Sequence, residues 1–187
     1  MTKHYIDSLS PLKTGLFKEG ARVIDVGCGA GFPSMPIKIA RKDLHMTFLD
    51  SMGQRIEFLK AAGELLGLSG AEYLKLRAEE GGRREGLRES FDIAVSRAVS
   101  SLPVLCELCL PYVKPGGHFI ALKGPDPKEE VESARNAIGT LGGRLSEITE
   151  VPLYSTGILH SLVVIEKISS CGGKYPRPFS RISKNPL

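Results

Sequence analysis

The glycine-rich stretch RVIDVGCGAGFPS, from Arg22 to Ser34, places the strongest constraint on what this chain can fold into. Its first five residues are mostly β-branched and apolar, which predicts a short buried strand. Gly27, Gly29 and Gly31 follow at alternate positions, where the backbone must turn sharply and a ligand can approach it closely. A helix-compatible sequence resumes after the loop. The stretch therefore predicts a strand–loop–helix unit with a ligand site at the loop, as in open α/β sheets.

Strand and helix patterns alternate along the rest of the chain. Further strands are predicted at residues 45–49, 73–76, 91–96 and 118–123, with helices between them. Two final strands, 145–151 and 161–168, have no helix between them, which favours an antiparallel pair. These patterns predict a doubly wound α/β fold with a mostly parallel, seven-stranded sheet and an antiparallel C-terminal pair.

Two local patterns predict details around this sheet. Ser51, followed three residues later by Gln54, forms a capping box that is typical of a helix N-terminus, and Gly67 predicts the end of that helix. Residues 81–86, GGRREG, predict an exposed and mobile loop.

Size and composition indicate an ordinary globular domain. The chain has 187 residues, of which 42% are hydrophobic and 25% are charged. It contains neither an apolar run as long as a membrane span nor an apolar signal core at its N-terminus, so we expect a cytoplasmic protein without a membrane partner. Separately, we expect a monomer. The formal net charge of +4 suits a polyanionic partner.

The four cysteines do not indicate a metal site. Cys106 and Cys109 form a lone CxxC inside an apolar stretch that is predicted to be helical, and no second pair completes a zinc site. We therefore favour core packing for this pair over redox or metal chemistry.

The spacing of the glycines separates two classes of nucleotide-binding loop. Dinucleotide dehydrogenases use GxGxxG, in which the third glycine seats the helix against the sheet, and Phe32 occupies that position here. Asp25 lies two residues before Gly27, which gives the D-x-G-x-G-x-G form of loops that bind S-adenosylmethionine. The aminoacyl end of that cofactor is cationic, so an acid beside the loop can help to hold its ammonium group. The spacing therefore favours S-adenosylmethionine over a nicotinamide cofactor.

Acidic residues also follow the second and third predicted strands. Asp50 ends the second strand, where a carboxylate can accept both ribose hydroxyls, can cap the next helix, or can do both. Ala78 and Glu79 come just after the third strand. A backbone amide at Ala78 can read an adenine nitrogen, and Glu79 can order the adenine amino group or be a solvated surface charge.

The fourth predicted strand ends in Ser96-Arg97-Ala98-Val99, which bears on the methyl acceptor. This end has neither the N/D-P-P-Y/F cluster of enzymes that methylate exocyclic amines nor the Pro-Cys pair of enzymes that attack pyrimidine rings. A ring nitrogen with a free lone pair, such as guanine N7, needs neither device because it has no proton to lose.

Two basic residues at strand ends are candidates for catalysis. Arg97 can bind a phosphate, the O6/N7 edge of guanine, or the methionine end of the cofactor, and its structural alternative is an ion pair with Asp92. Lys123 ends the fifth predicted strand and points toward the same edge of the sheet. It is either a phosphate or base contact or an ordinary solvated lysine.

Seven motifs in order resemble the RsmG (GidB) family of 16S rRNA methyltransferases. They are HYIDSL, DVGCGAGFPSMPIKI, LDS-x-x-x-R-x-x-FL, RAEE, SRAV, ALKG and KYPR, and they span nearly the whole chain. The resemblance implies the class I methyltransferase (Rossmann-like) fold and a bacterial enzyme that uses S-adenosyl-L-methionine to methylate N7 of a guanine in the 530 loop of 16S rRNA. It also implies cofactor contacts from five residues, namely Gly27, Phe32, Ala78, Glu79 and Arg97.

The resemblance also bears on domain organisation. Members of the family usually carry a helical segment before HYIDSL, whereas here that motif follows Met1 almost at once. We expect a methyltransferase domain over residues 1–168 with this segment absent or truncated, and a basic tail over residues 169–187 that steers the RNA backbone. The alternative is a module that binds the cofactor and RNA but has weak or no activity.

Overall fold

A computed structural model describes residues 2–97, 99–152 and 159–187 of the chain. Its strands are β1 (Arg22–Val26), β2 (His45–Asp50), β3 (Ala71–Lys75), β4 (Phe91–Arg97), β5 (Val113–Lys123), β6 (Gly143–Pro152) and β7 (Leu159–Lys167). Its α-helices are α1 (Thr2–Ser8), α2 (Ser34–Ala40), α3 (Gly53–Leu65), α4 (Ala78–Gly81), α5 (Leu102–Cys109), α6 (Lys128–Ser133), α7 (Arg135–Thr140) and α8 (Phe179–Lys184). Short 3₁₀ helices cover Ser10–Thr14 and Leu110–Tyr112.

All seven strands form one sheet in the order β3-β2-β1-β4-β5-β7-β6. The first five are parallel, and β7 runs antiparallel between β5 and β6. This confirms the predicted sheet and its antiparallel C-terminal pair. The strand order reverses between β1 and β4, and open α/β sheets bind ligands at the carboxyl ends of the strands where such a reversal occurs.

Apolar side chains cover both faces of the sheet, because alternate residues of each strand point to opposite sides. Ile24 and Val26 of β1 belong to one buried cluster, and Val23 belongs to the other. All eight residues of α5 are buried, and seven of them are apolar, as expected for a helix inside the core; the eighth is Glu107. Cys106 and Cys109 lie fully buried on this helix, so the core-packing prediction is confirmed.

The start of α3 differs from the capping-box prediction. The residue before the helix is Met52, and no side chain caps the helix there. Asp50 instead accepts a hydrogen bond from the Met52 amide at 2.8 Å, so a carboxylate one residue before Ser51 takes this donor. The predicted end is confirmed, because Gly67 has a φ of +61° just beyond the helix.

The predicted exposed loop at residues 81–86 is wrong at its first two positions. Gly81 and Gly82 are buried, and a Cβ on Gly81 would collide with the side chain of Tyr112. The Arg83 side chain donates to the backbone carbonyls of Lys174 and Pro176 at 2.7 and 2.8 Å. The loop is therefore packed against a distant part of the chain, which its local sequence does not reveal.

That distant part is the C-terminal segment, residues 169–187, which folds back onto the domain. Cys171, Tyr175 and Ile182 are buried in the same cluster as α5. The segment ends in the short helix α8. Within the described residues, no helix is both long and apolar enough to cross a lipid bilayer.

Candidate active site

A cavity of about 650 Å³ opens at the carboxyl ends of β1, β2 and β4, beside the reversal in strand order. This volume lies within the usual range of small-molecule sites. The described residues that line it include Gly27, Cys28, Gly29, Phe32, Asp50, Arg55, Arg77, Ala78, Glu79, Arg97, Val99 and Phe179. Seven of the ten predicted site residues are therefore brought together around one cavity.

The three loop glycines have different surroundings, although all have positive φ values. A Cβ on Gly27 would lie 2.9 Å from the side chain of Val99, whereas a Cβ on Gly29 would meet nothing within 4 Å. Gly29 therefore faces open space in the cavity. Gly31 lies away from the lining, and a Cβ there would come within 2.6 Å of Leu59. The third glycine thus lets the loop pack closely against α3.

Asp50 connects the glycine loop to the start of α3. One carboxylate oxygen accepts the Gly29 amide at 2.9 Å and the Arg55 guanidinium at 3.3 Å, and the other accepts the Met52 amide. The Asp50 side chain is buried, while Arg55 is half exposed. Two backbone amides therefore fix this carboxylate at the wall of the cavity.

Helix α4 forms the opposite wall. Glu79 accepts a 2.7 Å hydrogen bond from Arg77 Nε, and its side chain is only 13% exposed. The alternative of a solvated surface charge is therefore wrong for Glu79. The Ala78 carbonyl accepts the Tyr112 hydroxyl at 2.7 Å. The Ala78 amide is the first of the helix and has no partner within it.

Asp25 is a fully buried carboxylate at the end of β1. Neither of its oxygens has a hydrogen-bond partner among the described residues, and the same holds for the hydroxyl of the neighbouring Ser34. Burial raises the pKa of Asp25 to about 7. The nearby polar groups of Ser34 and the positive charge of Arg97 act to lower it. Asp25 lies behind the lining of the cavity, within electrostatic reach of Asp50 and Arg97.

Arg97 lies at the end of β4 with its guanidinium 5.2 Å from the ring centroid of Phe32. Its Nη1 donates to Ser8 Oγ at 3.4 Å. Burial lowers the pKa of Arg97, and the charges of Asp25 and Asp7 raise it. Ala98, which follows in the SRAV motif, lies outside the described residues.

The alternative of an ion pair between Arg97 and Asp92 is wrong. Asp92 lies toward the opposite end of β4, where its carboxylate accepts Lys114 Nζ at 2.7 Å and the Arg22 amide at 2.8 Å.

Lys123 is held inside the domain. Its Nζ donates to Glu130 at 2.7 Å and to the Ser100 carbonyl at 2.9 Å, and its side chain is only 10% exposed. Glu130 also accepts the Leu102 amide at 2.7 Å, so the pair fixes the start of α5. The ordinary solvated lysine is wrong, and the predicted catalytic contact gains no support from this arrangement.

A second, smaller cavity of about 170 Å³ lies between the N-terminal helices and the antiparallel strands. Its described lining residues are Ile6, Asp7, Leu9, Ser10, Lys13, Arg97, Leu122, Val151, Pro152, His160, Ser161 and Leu162. Among the described residues, Arg97 is the one that lines both cavities. The HYIDSL motif therefore lies beside Arg97 in the fold.

Among the lining residues that were not predicted as site residues are Arg55, Arg77 and Phe179. Arg55 and Arg77 belong to the motifs LDS-x-x-x-R-x-x-FL and RAEE, so their place in these motifs could have indicated that they lie at the site. Phe179 lies in the C-terminal segment, about 100 residues along the chain from α4, and no local pattern indicated it.

The strand order, the glycine loop and the acids at the ends of β1 and β2 define a class, the Rossmann-like fold of S-adenosylmethionine-dependent methyltransferases. A solved S-adenosylmethionine-dependent methyltransferase from Aquifex aeolicus superposes with a TM-score of 0.62 at 22% identity, covering 85% of this chain and 89% of that one. The likeness supports the fold.

Sequence comparison identifies the family within this class. The family model for rRNA small subunit methyltransferase G, GidB, matches residues 1–156. The enzyme of that name from Clostridium perfringens is 50% identical over 185 residues, which cover 99% of this chain and 77% of the relative. The one from Alkaliphilus metalliredigens is 49% identical over 187 residues, covering 100% and 78%. The chain belongs to the rRNA small subunit methyltransferase G family.

Proposed function

We propose that this protein transfers a methyl group from S-adenosyl-L-methionine to N7 of a guanine in the 530 loop of 16S rRNA. The observation that carries the proposal is one cavity at the carboxyl ends of adjacent strands with three carboxylates around it. Asp50 at the end of β2 and Glu79 on α4 line the cavity, and Asp25 near the end of β1 is buried behind the lining. Three acids suit a cofactor with an ammonium group and a ribose diol better than one with a pyrophosphate.

The residues present fit this cofactor. Asp25 is a buried carboxylate without a partner among the described residues, so an ammonium group would satisfy it electrostatically. At Asp50, the 3.3 Å contact from the half-exposed Arg55 is the longest of three, and a ribose hydroxyl would replace it most easily. The Ala78 amide and Glu79 would hold the adenine ring. When bound, the cofactor supplies an electrophilic methyl group on a sulfonium.

The end of β4 suits an acceptor that has no proton to lose. The Ser96 hydroxyl is buried and donates to the Val26 carbonyl at 3.0 Å, so it is committed to the sheet. Arg97 is a fixed cation, and guanidinium groups bind guanine O6 or a phosphate well. Guanine N7 presents a free lone pair, so position and charge supply most of the acceleration.

The second cavity offers a place for the acceptor base. It meets the first at Arg97, and methyl transfer requires cofactor and acceptor to meet at one point. Proteins that read RNA by sequence take up unstacked bases in apolar pockets with a few polar groups. The exposed side chains of Arg181 and Lys184 in the C-terminal segment would attract the RNA backbone. We expect the active protein to be a monomer.

The proposal is tested by methyl transfer in vitro. The full chain is incubated with S-adenosylmethionine carrying a radioactive methyl group and with small subunits, or naked 16S rRNA, from a strain that lacks this modification. Borohydride and aniline treatment then cleaves the RNA at 7-methylguanine. We expect one new cleavage site, in the 530 loop. Transfer to another atom or region would contradict the proposal, and cofactor binding without transfer to either substrate would establish the inactive-module alternative.

A further inference from the structure

The C-terminal segment forms part of the cavity wall, although it lies beyond the residues that the family model matches. Phe179, the first residue of α8, lines the cavity and is still 39% exposed. Its ring centroid lies 5.4 Å from the Arg77 guanidinium, which is bonded on its other side to Glu79. An aromatic ring is therefore presented at the α4 wall, beside Ala78 and Glu79.

The position of this ring is fixed by the residues just before it. Arg177 makes three side-chain hydrogen bonds of 2.6, 2.9 and 3.1 Å to the carboxylate of Glu107, and its backbone amide adds a fourth at 2.8 Å. Glu107 is fully buried on α5. Only Pro178 separates this anchor from Phe179, so the anchor holds the backbone of Phe179 beside the cavity.

A second set of bonds holds the same segment from the side of α4. The Arg88 guanidinium donates to the carbonyls of Tyr175 and Cys171 at 2.7 and 2.9 Å. The Arg83 guanidinium donates to the carbonyls of Lys174 and Pro176. The loop after α4 and the C-terminal segment are therefore bonded to each other, and these bonds help to set the distance between Phe179 and the α4 wall.

We propose that Phe179 is a cofactor-binding residue that stacks on or closes over the adenine ring of S-adenosylmethionine. The inference rests on the proposed function, because it assumes that this cofactor occupies the cavity with its adenine at α4. A half-exposed aromatic ring beside a purine site gains both apolar burial and ring–ring contact when the purine binds. The C-terminal segment is then part of the cofactor site and does not act as a tail for RNA alone.

The test is calorimetric titration of the full chain and three variants with S-adenosylmethionine and with 5′-methylthioadenosine, which has the adenosine but lacks the aminoacyl group. Phe179→Ala should weaken the binding of both ligands by about tenfold. Phe179→Leu keeps the apolar volume and should also weaken both. Phe179→Trp should bind within about twofold of the wild type. The matched control is Phe58→Ala, because Phe58 is 62% exposed on α3 and is not among the lining residues.

The outcomes separate the two proposals. Wild-type protein that does not bind S-adenosylmethionine would overturn the proposed cofactor, and this inference with it. Wild-type binding together with unchanged binding by Phe179→Ala and Phe179→Leu would overturn the role of Phe179 alone. A loss that appears with S-adenosylmethionine but not with 5′-methylthioadenosine would place Phe179 at the aminoacyl end and contradict the adenine contact. Thermal unfolding of Phe179→Leu near the wild-type temperature shows that the loss is not a folding defect.

Discussion

Asp25 and Glu107 are two fully buried carboxylates in the same domain with opposite surroundings. Glu107 is held by the guanidinium and the backbone amide of Arg177, whereas Asp25 has no hydrogen-bond partner among the described residues. A buried charge without a partner costs free energy, so it persists only where something else requires it. From this comparison we propose that Glu107 serves the fold and that Asp25 serves a ligand.

The largest effect is expected from removing the partner of Glu107. Arg177→Ala leaves a buried carboxylate uncompensated and should lower the free energy of unfolding by about 3–5 kcal/mol. Urea denaturation measures this, with Arg181→Ala in the exposed part of the same segment as the control. The double variant Glu107→Gln/Arg177→Ala should recover part of the loss. A change below about 1 kcal/mol in Arg177→Ala would show that the anchor is dispensable.

Asp25 should affect stability in a pH-dependent way. Its pKa is raised from 3.8 to about 7 in the folded state, so the folded protein holds this proton more tightly than the unfolded chain does. The unfolding free energy should therefore fall by about 4 kcal/mol between about pH 4 and pH 7 and then level off, and Asp25→Asn should lack this fall. Denaturation curves at several pH values measure the difference between the two proteins.

Asp43 provides a control of opposite sign for this experiment. The hydrogen-bonded Arg41 guanidinium holds the pKa of Asp43 well below its usual value. The contribution of Asp43 is thus present at neutral pH and is lost as the pH falls, and Asp43→Asn should lack that loss. If the unfolding free energies of the wild-type protein and Asp25→Asn had parallel pH profiles, burial would not raise the pKa of Asp25 in the way that the comparison requires.

Arg97 should matter for transfer more than for folding. Its guanidinium lines both cavities and has the Phe32 ring at 5.2 Å. Arg97→Ala should reduce methyl transfer about 100-fold, which is typical of losing one electrostatic contact to the reacting centre, and should leave the unfolding free energy within about 1 kcal/mol. Arg135→Ala on the exposed face of α7 is the control. Proportional losses of stability and transfer would assign Arg97 a structural role.

The smallest effect concerns RNA affinity. Removal of the whole C-terminal segment would expose core residues, so only its exposed charges can be tested separately. Arg181→Ala/Lys184→Ala should reduce the steepness with which the logarithm of the RNA association constant falls with the logarithm of salt concentration, by about 1–2. It should leave cofactor affinity unchanged. Lys18→Ala/Lys60→Ala removes two exposed charges elsewhere and is the control. An unchanged slope in the first variant would show that these two charges of the segment do not attract RNA.

The parts of the fold that depend on neighbouring residues could be predicted from the sequence. The loop after β1 is such a case. Gly27 and Gly29 have positive φ values, which glycine adopts readily, and the glycine pattern is visible in the local sequence. The strand periodicity likewise predicted the sheet and the antiparallel pair of β6 and β7. Asp50 was predicted as a site residue because it ends the second predicted strand.

Features that depend on distant contacts could not be predicted. The basic residues of the C-terminal segment indicated a tail that steers the RNA backbone, but Arg177 is paired with a glutamate 70 residues away. Gly81 and Gly82 indicated an exposed loop, although Tyr112 lies against Gly81 and Pro176 of the segment lies against Gly82. Lys123 at a strand end indicated a ligand contact, but Glu130 from the following helix takes its charge. In each case the tertiary fold determines the partner, and the nearby sequence contains no pattern that indicates it.

Titration of wild-type protein and Asp25→Asn with S-adenosylmethionine at pH 8 tests the central claim most directly, with NADH as the control ligand. We predict micromolar binding of S-adenosylmethionine by the wild type, at least tenfold weaker binding by Asp25→Asn, and no binding of NADH by either protein. Equal affinity of the two proteins for S-adenosylmethionine would show that the unpartnered carboxylate does not serve the ligand. Binding of NADH in place of S-adenosylmethionine would contradict the proposed cofactor.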